Sequence, residues 1–344
     1  MQVAVAVSGG ADSLLALSLL QEQGHAPLAV HALFVDQDEG QRNMRRDLAR
    51  VCARMGLDLQ VCDLRQDFGQ KVIVPFVQAY ARGMTPNPCS WCNQRIKFGR
   101  LAETVRDMGV SHLATGHYAR LSLDCVHPPG LFRGDDAGKD QSYFLALMPR
   151  AQLEVTHFPL AGWKKDQVRA ALQERGIQSC AGRESQEICF IPENDYRFFL
   201  ENQEVTLPGP GPIVDVQGHV LGRHQGLYAY TLGQRRGLGI AFSQPLYVLE
   251  KQRETNTLIV GPRSSLQARS FRVRGMNELL PLAHWPQEIW VQTNYRQGPK
   301  RVWVQGGPQE LEVTFEQVQR PATPGQIAAF YSSQGRVLGG GEIA

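Results

Sequence analysis

Two short stretches hold most of the residues able to do thiol chemistry. TPNPCSWCNQRIKF, residues 85 to 98, sets Cys89 and Cys92 in a C-x-x-C between proline punctuation and a Lys/Arg-bearing segment, and ESQEICFIP carries Cys189, 97 residues beyond Cys92. Such a set suits a zinc clip, a redox pair, a cluster ligand set or thiols that carry sulfur chemistry. A structural zinc takes four ligands, and no fourth stands out. The seven cysteines are odd in number and widely scattered, which favours reduced thiols over a disulfide framework. A thiolate attacks sulfur well, and thiol–disulfide exchange resets such a site. Cys52, Cys62, Cys125 and Cys180 sit in ordinary surroundings and read as packing residues.

A second constellation points to an anion. VAVAVSGGADS leads through Ala6 and Val7 into Ser8, Gly9, Gly10, Ala11, Asp12 and Ser13 at a strand-to-helix junction. Glycines let the backbone approach a phosphate, the hydroxyls add donors, and the helix N-terminus adds partial positive charge. The G-K-[ST] ending of a Walker loop is absent. In ATGHYAR, residues 114 to 120, Gly116 allows backbone approach. His117 there reads either as a contact to phosphate or substrate or as a satisfied structural histidine. The Ser-Gly-Gly-x-Asp-Ser order resembles the PP-loop of ATP pyrophosphatases. That resemblance implies ATP cleaved to AMP and pyrophosphate, with a carbonyl oxygen activated as its adenylate.

These residues need a scaffold that gathers them. VAVAV, the apolar run ADSLLALSLLQEQG stopped at Gly24, and PLAVHALFVD predict strand, helix, strand, hence a right-handed parallel unit. RRDLARVCARMG before LDLQVCDL, and RLAETVRDMG before VSHLATGHYAR, repeat the alternation. We therefore expect an α/β fold: a doubly wound parallel sheet over residues 1–204, with ligands at the carboxyl ends of its strands. LPGPGPIVD then changes the texture, and short strand-like runs such as RVWVQ and LEVTFEQV follow. A small central linking module over 205–262 and a C-terminal β-barrel over 263–344 are expected.

The cysteine motifs, GHYAR, KDQSYFL (139–145), YTLGQRRGLGI (230–240), TPGQIAAFY and VLGGGEI together resemble the tRNA-specific 2-thiouridylases, the MnmA family, from residue 3 to 343. The resemblance implies ATP-dependent replacement of the C2 oxygen of the wobble uridine, U34, by sulfur in tRNAs for Lys, Glu and Gln. It makes Cys189 the persulfide carrier and Cys92 the partner thiol that releases sulfide or closes a disulfide. It assigns ATP, with Mg²⁺, to Ala6, Val7, Ser8 to Ser13, Val35 and Gly116. It assigns tRNA to Asn87, Pro88 and Cys89 at the target base, and to His117, Lys139, Asp140, Gln141, Asn294, Tyr295 and Gln326. Many members carry Asp where this chain has Cys89, so Cys89, Cys92 and Cys189 are three thiolates able to hold a [4Fe-4S] cluster, a competing route. Asn294 stands where the family usually has Arg, and DQDEGQRN replaces an acidic, tryptophan-bearing stretch. The rival readings are another PP-loop adenylating enzyme and a tRNA-binding protein without catalysis.

Charge agrees with a polyanionic partner. Residues 1 to 200 hold 22 basic and 22 acidic side chains, so the net charge of +3 arises beyond 200, and 220 to 275 hold nine Lys/Arg against two Glu. Arg235 and Arg236 on a glycine-flanked loop suit phosphates. A sulfur donor, either a cysteine desulfurase or a relay protein, is the second partner. No run nears the roughly 20 apolar residues of a membrane span, and the N-terminus runs straight into a strand. The expectation is a cytoplasmic monomer.

Overall fold

The computed structural model describes residues 2–122, 129–180 and 188–344. Cys125, and residues 184–187 of the second cysteine motif, lie outside them.

The first strands, β1 (Gln2–Ala6), β2 (Ala26–Leu33), β3 (Leu59–Asp63) and β4 (Leu113–Thr115), are joined by an antiparallel pair, β5 (Ala119–Ser122) and β6 (Gly130–Arg133), to a short edge strand, β7 (Thr156–His157). The main sheet runs β3-β2-β1-β4-β7 and every pairing in it is parallel. Helix α1 (Ala11–Glu22) is buried from Ser13 to Leu20. It is apolar on every side because the sheet and the helix Lys165–Glu174 both cover it. Truncating Leu15 or Leu17, each fully buried, would cost about 2–5 kcal/mol. Helix α2 (Glu39–Arg54) instead buries one stripe, Leu48, Val51 and Cys52, and opens with a capping box between Asp38 and Gln41. Because β2 and β4 flank β1 on opposite sides, the order reverses at β1. Such a reversal is where doubly wound folds place a ligand, at the carboxyl ends of the strands.

A four-stranded sheet follows, β8 (Gly211–Val214), β9 (Val220–His224), β10 (Tyr247–Gln252) and β11 (Thr257–Gly261), in the order β10-β11-β8-β9. The last strands, β12 (Ala268–Glu278), β13 (Ile289–Gln292), β14 (Lys300–Gly306), β15 (Glu310–Gln319), β16 (Ile327–Ser332) and β17 (Val337–Ile343), close a barrel in the order β12-β15-β14-β13-β16-β17. Alternate residues such as Val273, Val291, Val302, Val313 and Phe330 fill it. The expected fold class is therefore borne out. Among the described residues no helix is long and apolar enough to cross a membrane.

The sequence reading did not anticipate two π-helical segments, Gly69–Ile73 and Asn93–Leu101. Such turns are rare and often mark functional positions. The second begins where the C-x-x-C ends.

Candidate functional site

The phosphate loop turns at this reversal. Gly9 has φ +82°, and a side chain there would meet Met44 Sδ of α2 at 2.8 Å. Ser13 Oγ accepts from the Ser8 amide at 3.1 Å and donates to the Gly10 carbonyl at 2.9 Å, so the hydroxyls brace the loop. Gly10 is the N-cap of α1 and gives no side-chain cap, which leaves amides at that terminus for an anion. Ala6 and Val7 end β1, Val35 lies two residues past β2, and Gly116 follows β4. A Cβ on Gly116 would stand 2.7 Å from the Asp12 carbonyl carbon and 2.9 Å from the Ser13 amide nitrogen. The glycine of GHYAR thus serves close packing against α1.

Asp12 is the best-held group of the loop. Both its carboxylate oxygens accept from Lys165 Nζ at 2.7 Å, and Oδ1 also accepts from the Tyr118 hydroxyl at 2.6 Å. Sequence reasoning missed Lys165 and Tyr118. One signal existed: lysine in the first turn of a helix opposes the helix dipole and needs another reason to be there. The Cys180 amide and Ser179 hydroxyl both donate to the Gly9 carbonyl, at 2.9 and 3.0 Å.

Cys89 and Cys92 sit on a five-residue helix, Pro88–Cys92, with proline in its first turn and Asn87 as N-cap, whose Oδ1 accepts from the Ser90 amide at 3.2 Å. Cys92 is buried, Cys89 half-buried and Cys189 exposed. Burial pushes the Cys89 thiol up to about 11 and Cys92 up to about 12, and it raises Cys189 as well. The Cys189 thiol perturbs both Cys89 and Cys92, so residues 97 apart in sequence share one electrostatic neighbourhood.

Lys97 opposes the burial, lowering all three thiols. In an α-helix a residue at i+5 points about 140° away from residue i. The i→i+5 closure of the π-helix brings Lys97 back toward the side of Cys92. Burial first, and Lys97 second, hold His117 well below the usual histidine range. One cation therefore links the thiols to the residue after Gly116.

Several residues expected at tRNA have partners within the protein. The Asp140 side chain is buried and accepts from Arg133 Nε, the Gly134 and Ser142 amides and Ser142 Oγ, at 2.7–3.1 Å. Its carboxylate is thus braced from within the protein. Gln141 Oε1 accepts from the Tyr118 amide at 3.0 Å. His117 Nδ1 bonds Thr115 Oγ1 at 2.7 Å, and its ring packs against Phe98 and Phe158, the satisfied structural alternative. Gln326 donates to the backbone of residues 85 and 86. Lys139 is half-buried. Tyr295 is exposed and its ring lies 4.5 Å from that of Phe144, so the segments 139–145 and 294–296 do meet. Asn294 is exposed, with Oδ1 accepting from the Arg296 amide at 2.9 Å. Arg235 and Arg236 are exposed.

Among the described residues no three His, Cys, Asp or Glu side chains are arranged to hold a metal ion, which gives the [4Fe-4S] alternative at Cys89, Cys92 and Cys189 no support.

Family models match in series: a tRNA methyl transferase HUP domain over residues 1–193, a tRNA methyl transferase PRC-barrel domain over 198–262 and an aminomethyltransferase beta-barrel domain over 268–343. A tRNA-specific 2-thiouridylase MnmA of Nitratidesulfovibrio vulgaris is 48% identical over 347 residues, covering 100% of this chain and 99% of that protein. Another, of Oleidesulfovibrio alaskensis, is 49% identical over 353 residues with the same coverage. A solved 4-thiouridine synthetase–RNA complex with bound ATP is 17% identical, covers 58% of this chain and 49% of its own, and has a TM-score of 0.36, too low to carry an argument. With its full length matched at nearly half identity, the chain belongs to the tRNA-specific 2-thiouridylase MnmA family.

Proposed function

We propose that this protein uses ATP to exchange the C2 oxygen of tRNA wobble uridine, U34, for sulfur, in tRNAs for Lys, Glu and Gln. The reading is supported by the shared influence of Lys97, whose charge lowers the Cys89, Cys92 and Cys189 thiols and His117 alike, and by the packing of Gly116 on the phosphate loop. His117 directly follows that glycine. This supports a nucleotide site placed beside a sulfur site.

The loop amides and Ser8 and Ser13 bind and orient the ATP phosphates. Mg²⁺ bound with ATP would supply charge neutralisation for the pyrophosphate leaving group, while Asp12 holds Lys165 and Tyr118 at the loop. Uridine O2 attacks the α-phosphorus, pyrophosphate leaves, and C2 then carries AMP through its former carbonyl oxygen. The terminal sulfur of a Cys189 persulfide attacks C2 and AMP departs with that oxygen. Cys92, as thiolate, attacks the Cys189 sulfur. The S–S electron pair stays on the sulfur now attached to C2, and a Cys92–Cys189 disulfide remains for a dithiol reductant to reopen. A cysteine desulfurase or relay protein supplies the persulfide sulfur. The charge of Lys97 favours the thiolate of the buried Cys92.

The anticodon loop is already unpaired, so extruding its base is cheap, and the paired rings of Tyr295 and Phe144 offer a stacking surface for it. Incubating the protein with ATP, a persulfide donor and tRNA, then digesting the tRNA to nucleosides, tests the reading. ATP-dependent 2-thiouridine at U34 is expected. Sulfur on a cytidine, or amidation of another acceptor, would replace the reading with a different adenylating activity.

A further inference from the structure

We infer that Gln326 is a positioning residue for the thiol chemistry, and that the barrel holds the cysteine helix in place through the turn 323–326. Both hydrogens of the Gln326 amide are engaged, donating to the Thr85 carbonyl at 2.8 Å and the Pro86 carbonyl at 3.3 Å. The Thr85 amide donates to the Pro324 carbonyl at 2.9 Å. Between them Gly325, at φ +88°, lies so close that a Cβ would stand 3.0 Å from Met84 Cβ and 3.1 Å from the Thr85 amide nitrogen. The turn is itself tied to β17, since the Gly325 amide donates to the Ile343 carbonyl and the Ile343 amide to the Gln326 carbonyl, each at 2.8 Å. Three hydrogen bonds and one close approach thus grip the two residues that lead into Asn87.

The cysteine helix needs an outside hold. It is the first turn of a helical run that continues through Asn93–Leu101 and Ala102–Asp107, and a terminal turn lacks intrahelical partners for its first amides. Its surroundings leave buried polar atoms without partners: Thr85 Oγ1, Ser90 Oγ and Asn93 Oδ1. The segment is therefore poorly satisfied from within, and contacts from the barrel and from Phe144, whose carbonyl accepts from Asn93 Nδ2 at 3.1 Å, set where Cys89 and Cys92 stand. A sulfur-transfer step between two thiols depends on their alignment, where a 1 Å misplacement can cost about 100-fold.

The inference rests on the thiolation reading for its kinetic arm only. Gln326→Met keeps the length of the side chain and removes both donors. Cys92 alkylation by iodoacetamide, followed by peptide mass spectrometry without ATP or tRNA, reports the hold directly. Thiolation kinetics on tRNA report its consequence. We expect Cys92 alkylation about tenfold faster, kcat about tenfold lower and KM for tRNA within about twofold of wild type. Where Gln326→Met does not fold, Gly325→Ala, which pushes the same contact apart, carries the same expectation. Unchanged Cys92 alkylation overturns the inference whatever the kinetics, and a raised KM at unchanged kcat would make Gln326 an RNA contact instead. Wild type without thiolation activity would defeat the proposed function and leave the alkylation result standing.

Discussion

Lys165 Nζ lies 2.7 Å from both carboxylate oxygens of Asp12, across 153 residues of sequence. The pair is one-third exposed at the carboxylate and mostly buried at the lysine. It anchors the helix Lys165–Glu174 to the phosphate loop and places a cation where ATP phosphates would arrive. Asp12→Ala and Lys165→Met should each lower ATP-dependent pyrophosphate release at least 100-fold. Each should leave tRNA affinity within about twofold, because the basic excess lies beyond residue 200. Pyrophosphate release beside filter binding checks this, and equal loss of both activities would show the two sites to be strongly coupled. Stability should fall by only about 1 kcal/mol for either change, given the partial exposure.

Lys97 sets a pH dependence. Burial raises Cys92 to about 12 and Lys97 opposes that rise, so in the free protein Cys92 is a protonated thiol at neutral pH. Its alkylation rate should climb about tenfold per pH unit from pH 7 to 9 without a plateau. Lys97→Met should slow alkylation at every pH in that range, and Lys97→Arg should restore it. The same raised value means that the folded state holds its proton more tightly than the unfolded chain. The stability this contributes is complete below about pH 8.5, the unfolded thiol value, and is lost as pH rises toward 12. Urea unfolding at pH 8 and pH 10 should show the decline.

How far the sequence alone reached follows from the range over which its signals act. SGGADS, the strand–helix alternation and the LPGPGP break are local patterns, and each led to the element that formed. The reversal at β1 followed as well, because handedness and strand order are general rules. The partners of Asp140 were not legible because nothing in KDQSYFL reveals that Arg133 and two amides fill its carboxylate. Lys165 was missed because its partner lies in the first turn of α1, and Lys97 because only the i→i+5 turn relates it to Cys92. Tyr118, in a motif already singled out for its glycine and histidine, was passed over because its hydroxyl acts on a distant residue. Long-range polar partners are the part of a site that periodicity does not encode.

The barrel's attachment predicts a different outcome for truncation than RNA binding alone would. Asn277 Nδ2 donates to the Ala146 and Met148 carbonyls at 2.9 and 2.8 Å, and Tyr143 donates to the Ile327 carbonyl at 3.0 Å. Removing residues 263–344 should flatten the salt dependence of tRNA binding. It should also expose Cys92 to alkylation, a change that loss of an RNA-docking domain would not produce. Asn277→Ala should cost about 1–3 kcal/mol by leaving two carbonyls unpaired, read as a lower melting temperature.

Cys89 tests the metal question. Its thiol is raised to about 11 by burial, with Cys189 adding to the rise. Cys89→Asp should retain 2-thiouridine formation in vivo, since the persulfide route needs only Cys92 and Cys189. Iron and acid-labile sulfide should be absent from anaerobically purified wild type that is fully active. Activity that tracks iron content, and falls in Cys89→Asp as iron is lost, would restore the cluster route.

The central claim is that sulfur passes through Cys189. The most direct measurement is a single turnover: protein loaded with a labelled persulfide sulfur, freed of donor, then mixed with ATP and tRNA, with the Cys189 peptide and the tRNA nucleosides followed together by mass spectrometry. The account predicts that the labelled sulfur leaves the Cys189 peptide at the rate at which labelled 2-thiouridine appears, only with ATP present, and that Cys92→Ala blocks the turnover. Full thiolation by Cys189→Ala from the same persulfide donor would contradict it.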